Sequence, residues 1–112
     1  MIDKKRLDTH LANGEMELVM CAANYHNDGK DYNYKPFNID KGFVIGGIRH
    51  PNCGEIYSAM NPDNPYWGDC IQGFLTTKNR FLNREEALGL VLSNGQLTKK
   101  LLGSVLTSED LW

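Results

Sequence analysis

Residues 72–87, Gln-Gly-Phe-Leu-Thr-Thr-Lys-Asn-Arg-Phe-Leu-Asn-Arg-Glu-Glu-Ala, gather two arginines, two phenylalanines, hydroxyls and amides just ahead of a helical pattern. Guanidinium forks bind phosphate, aromatic rings stack on bases, and a helix N-terminus attracts anions. The set is suited to holding a nucleotide and lacks an evident group to cut one. Further along, Lys99 and Lys100 add positive charge. The competing reading places Phe74 and Phe81 in a hairpin core with the arginines solvated.

Other residue patterns carry weaker chemistry. Gly46-Gly47-Ile48-Arg49-His50 leads a strand into an arginine beside a helix start, a suitable place to grip a phosphate. His50 and Cys53 have the H-x-x-C spacing of a ligand pair, but two ligands are too few for a structural zinc. His10, His26, Cys21 and Cys70 supply no second pair, so no metal site is expected. The default for Cys53 is a buried helix thiol, with His50 capping the turn. Arg84-Glu85-Glu86 faintly resembles a Nudix pyrophosphatase box. That chemistry needs further carboxylates one turn later, where Leu88, Gly89 and Leu90 stand instead. Glu85 and Glu86 then read as ordinary first-turn acids.

The elements that position these residues follow from periodicity and punctuation. Leu7 and Leu11 allow a short opening helix ending at Asn13-Gly14. Residues 15–23 read as a strand whose later, continuously apolar part is buried on both faces. Residues 24–41 form a long loop or a loosely paired hairpin, and 43–48 a strand with a glycine pair. Pro51 opens a helix over 51–60, with Cys53, Ile56, Tyr57 and Met60 as its stripe. Residues 61–65 stop it, an exposed Tyr66-Trp67-Gly68 loop follows, and 73–77 make a short strand. Asn83 with Glu86 forms a capping box for a helix whose stripe is Ala87, Leu88, Val91 and Leu92 and whose end is Asn94-Gly95. A short turn over 98–102 and a docked tail ending in Leu111-Trp112 complete the chain. These elements predict one α+β domain over residues 1–112, a small antiparallel sheet with two main helices toward the C-terminus.

Composition bounds the function. The 112 residues, 41% apolar and 23% charged, suit a single soluble domain. A net charge of −2 provides no field to draw the chain to a DNA or RNA polymer or an anionic membrane. No apolar run approaches the ~18 residues of a membrane span. The charged start lacks a following apolar segment with a cleavage site, and three widely spaced cysteines suit a reducing compartment. A cytoplasmic protein is expected.

Gly47-Ile48-Arg49-His50-x-x-Cys53, then Gln72-Gly73-Phe74-x-Thr76-x-x-Asn79-Arg80-Phe81-x-x-Arg84-Glu85-x-Ala87, Gly95-Gln96 and a final Ser108-Glu109-Asp110-Leu111-Trp112 run in a specific order. Over residues 42–112 the chain resembles the phage-encoded Thoeris anti-defence family of the first type. The resemblance implies a protein without enzymatic activity or cofactor that sequesters glycocyclic ADP-ribose, a cyclic ADP-ribose isomer, in the infected bacterial cytoplasm. It implies dimers that assemble further into hexamers with the signal held between protomers, and in some members cyclic oligonucleotides at separate sites. Carried onto this sequence, Arg49 becomes the phosphate clamp and Phe74 the adenine stacker. Thr76 lies on the motif, Asn79 and Arg80 contact ribose or phosphate, and Lys99 or Lys100 supplies the cation that follows Gln96. Arg84, on the first helical turn, lies beside the site. The alternatives are a small nucleotide-processing enzyme and a structural or accessory phage protein.

Overall fold

A computed structural model describes residues 16–97 and 100–112. The expected opening helix and Lys99 lie outside the described residues, as does part of the expected turn over 98–102. The strands are β1 (Val19–His26), β2 (Phe43–Gly47), β3 (Ile71–Thr76) and β4 (Phe81–Asn83); the helices are α1 (His50–Met60), α2 (Arg84–Asn94) and α3 (Ser108–Leu111). All pairings are antiparallel and the sheet order is β2-β1-β3-β4. The fold is α+β, with its helices mostly in the C-terminal part, as the residue patterns predict.

β1 lies between two partners, with Ala22 opposite Gly47 on one side and Phe74 on the other. Cys21, Ala22, Ala23 and Asn24 are all buried, in keeping with the continuous apolar run expected there. Glu15 of the expected strand lies outside the described residues. Residues 16–18 are not strand, and the strand runs past residue 23 because its pairing with β3 continues to Tyr25 and that with β2 to His26. Side-chain contacts cover the sheet and close its edge. The thiol of Cys53 on α1 donates toward the Ala22 carbonyl, while Asn38 of the long 27–42 loop pairs through its side-chain amide with both the N–H and the C=O of Phe81. That amide completes the edge of β4 as another strand would, satisfying backbone groups that an edge leaves open. Gly42, at φ 94°, packs where a Cβ would stand 2.4 Å from the His26 carbonyl oxygen.

Each helical stripe matches the expected one in part. On α1, Ile56 and Met60 are exposed, and the inward positions are His50, Cys53, Gly54 and the half-buried Tyr57. Gly54 is the reason: Trp67 packs against it so closely that a Cβ would lie 2.2 Å from the indole. In the Tyr66-Trp67-Gly68 loop, Tyr66 and Gly68 are exposed as expected, while Trp67 is half-buried and anchors the loop through its indole. On α2, Ala87, Leu88 and Val91 face the core as expected, while Leu92 is exposed and Leu90 packs against the core in its place. The capping box forms as expected, with Glu86 N donating to Asn83 Oδ1 at 2.8 Å and Asn83 N to Glu86 Oε1 at 2.9 Å. Gly95 closes the helix in the left-handed region at φ 79°.

Val19, Phe74, Leu82, Ala87, Val91 and Leu106 form the core cluster, against which Leu111 and Trp112 pack. The tail therefore docks. Asp110 ties it in place by accepting from the N–H groups of Leu102 and Thr107. Phe74 has no exposed surface and meets His50 and Trp112 edge-on, at ring-centroid distances of 5.4 and 6.5 Å. The adenine-stacking role expected of Phe74 is thereby corrected: its ring faces are enclosed by core side chains, and the hydrophobic gain of burying it outweighs display on the surface. Phe74→Ala is expected to lower folding stability by about 3–5 kcal/mol, read from chemical denaturation.

Candidate functional site

The motif residues divide into two groups with different surroundings. The first surrounds the β3–β4 turn. Asn79 adopts φ 56° at the tip, a conformation asparagine tolerates, and its carbonyl accepts from Phe37 N. Thr76 is buried; its hydroxyl donates to Glu17 Oε2 at 2.6 Å and accepts from the N–H groups of Lys78 and Arg80. Arg80 grips the same carboxylate as a fork, Nε to Oε2 at 2.8 Å and an Nη to Oε1 at 2.7 Å. Gln96 performs a similar task, its amide accepting from Val19 N and donating to Val19 O at 2.6 and 2.9 Å. It holds the first residue of β1 as a neighbouring strand would. Thr76, Arg80 and Gln96 thus have their polar groups engaged within the fold. Lys100 is exposed at the surface.

Glu17 is what residue patterns missed at this turn. It precedes β1 by two positions and becomes Arg80's partner only through the β1–β3 pairing. The arginine hydrogen bonds hold its carboxyl below the ordinary glutamate range, with Thr76 contributing in the same direction.

The second group meets at the N-terminal end of α1. The Arg49 guanidinium donates to Ser108 O at 3.0 Å and to the main-chain oxygen of Trp112, and its Nε lies 3.6 Å from Glu109 Oε1. The Trp112 indole N–H returns a hydrogen bond to Ile48 O at 3.0 Å. His50 donates from Nε2 to Gly73 O at 2.8 Å, which sets its neutral tautomer. Burial lowers the His50 pKa, and the charge of Arg84 pushes the same way. Arg84 in turn donates to the Gln72 side-chain carbonyl. Residues 49, 72, 84, 109 and 112 are linked through His50, whose ring bonds Gly73 and feels the charges of both Arg84 and Glu109. They share a patch with two guanidinium groups, a partly buried tryptophan and an exposed carboxylate. Gln72, Glu109 and Trp112 were not among the expected ligand contacts. Their place in the ordered motif was the available signal.

The patch has little nucleophilic capacity. Cys53 directs its thiol to Ala22 O and Arg49 O, and burial pushes its pKa up to about 11, leaving it a neutral thiol. Among the described residues no group of three or more His, Cys, Asp or Glu is placed to hold a metal ion. Among the same residues no helix is long and apolar enough to cross a membrane.

The fold and the patch define a small α+β domain with a surface cluster of arginines and an aromatic ring. The chain belongs to the family described as phage T4 y16D protein, whose model matches residues 18–112. No curated protein and no solved structure matches it. The family description carries the phage assignment and names no ligand.

The Glu17–Arg80 pair sets a pH dependence. The folded-state pKa of Glu17 is depressed, so its stabilisation is present above the unfolded value and lost as pH falls through the folded one. Glu17→Gln is expected to flatten the acid limb of the stability profile. Arg80→Ala is expected to cost about 1–2 kcal/mol near neutral pH, measured by urea denaturation across pH.

Proposed function

We propose that this phage protein sequesters, without cleaving it, a cyclic nucleotide signal of bacterial defence of the glycocyclic ADP-ribose class. The observation that carries the reading is the meeting of residues from three of the four motif segments, Arg49, Gln72 with Arg84, and Trp112, at one patch. Arg49 is the phosphate clamp. An incoming pyrophosphate replaces the exposed Glu109 carboxylate beside Nε and gains a second, more highly charged partner. Arg84 adds a second cation, and Trp112 takes the stacking role that the enclosed Phe74 cannot fill. The protonated Cys53 thiol and the committed His50 ring leave the ligand intact. An open patch on a 112-residue chain encloses a ligand of this size most readily against a second copy, so the functional unit is a dimer or a multiple of it, in the host cytoplasm.

A second reading, a structural or accessory phage protein, draws on the internal engagement of Thr76, Arg80 and Gln96. One experiment separates the two. The protein is incubated with glycocyclic ADP-ribose, and free and heat-released ligand are chromatographed while light scattering follows its mass. Recovery of unchanged ligand from a dimer or larger species is expected. Arg49→Ala should weaken binding by about 2–4 kcal/mol and Arg84→Ala by about 1 kcal/mol, with melting temperatures recorded for both. Release of ADP-ribose would make the protein an enzyme, and no uptake by a stable monomer would favour the accessory role.

A further inference from the structure

We propose that a cleft at the opposite end of α1 from the Arg49 patch is a binding site for a planar heterocycle without negative charge, a nucleobase or nucleoside. It lies where the ends of β1 and β2 meet the 61–70 loop and has a volume of 350 Å3. That is near the lower end of the roughly 300–1,000 Å3 typical of small-molecule sites. No residue of the Arg49 patch lines it, so the inference does not rest on the function proposed above.

Its walls favour flat rings. His26 and Tyr57 stack at 4.2 Å with planes 2° apart, and His26 and Phe43 at 5.2 Å with planes 16° apart. Strand pairing opposes His26 to Phe43, while α1 presents Tyr57, so three elements fix a nearly parallel set of rings before any ligand arrives. Trp67 forms another wall, immobilised by its packing on Gly54. Such prearranged aromatic surface costs little further ordering when a planar ring extends it.

The polar groups select against phosphate. Asp28 and Asp69 line the cleft against the single cation of Lys30, leaving one net negative charge. Asn61 and Asn64 bring amides, which pair with the mixed donor and acceptor edge of a base. His26, one of the lining residues, has its Nε2 buried without a hydrogen-bond partner among the described residues. Burial lowers the pKa of this ring, so it is neutral at neutral pH and adds no attraction for an anion. The same chemistry that admits a base therefore disfavours its monophosphate.

Adenosine, guanosine and cytidine, each with its 5′-monophosphate, provide the test, by calorimetry and by quenching of tryptophan emission. At least one nucleoside should bind saturably, and more tightly than its monophosphate. Tyr57→Ala should weaken it about tenfold through lost stacking. Because Tyr57 also packs in the fold, Asn64→Ala on the exposed loop is the companion variant. It should weaken binding about fivefold through a lost hydrogen bond, with an unchanged melting temperature. The proposal is overturned if no nucleoside binds at millimolar concentration, if the monophosphate binds equally or better, or if both variants bind like the parent. Nucleosides lack the pyrophosphate that the Arg49 patch requires, so failure here is separate from failure there.

Discussion

Double pairing of β1 is the constraint on which the other elements depend. A strand hydrogen-bonded along both edges and covered on both faces has to satisfy every backbone group while exposing almost no side chain. Small residues make that possible: Ala22 and Ala23 are fully buried and let neighbouring layers approach. The partners on either side bring glycines to the same level, with Gly46 and Gly47 opposite Ala23 and Ala22. A Cβ at Gly47 would press on the Cys53 sulfur at 3.2 Å, so the close seating of α1 depends on its absence. The first residue of β1 has its main chain met by the Gln96 amide, linking the strand to the segment after α2.

Charge follows the same economy. Arg80 is half-exposed, yet it lies against Glu17, whose side chain is only 12% exposed, and the fork shares its acceptor with a buried threonine hydroxyl. Such a network positions the β3–β4 turn more than it advertises a ligand site. Arg49 differs in kind. Its hydrogen bonds go to main-chain oxygens of the tail, and its carboxylate neighbour Glu109 has a side chain 55% exposed. An arginine paired with a carboxylate that is accessible to solvent retains the capacity to exchange it for another anion. The two ends of α1 thus have opposite character, guanidinium groups at one and carboxylates with stacked rings at the other.

Local signals in the chain determined much of the architecture. Asn83 and Glu86 specify a helix start by reciprocal hydrogen bonds that need nothing beyond four consecutive residues, and Gly95 ends the helix by tolerating a positive φ. The apolar run from Val19 to Ala23 specifies a strand without a solvent face. The order Arg49, Gln72, Arg84, Trp112 contained the patch in outline. Tertiary structure decided the rest, because each remaining feature depends on a partner distant in sequence. Which face of α1 turns inward was set by Trp67 on Gly54, and on α2 the core took Leu90 and left Leu92 outside. Whether Phe74 was ligand platform or core, and whether Arg80 was a free cation or half of an ion pair, turned on strand register. A two-residue periodicity states which side chains share a face, and only the packed sheet determines which face is covered.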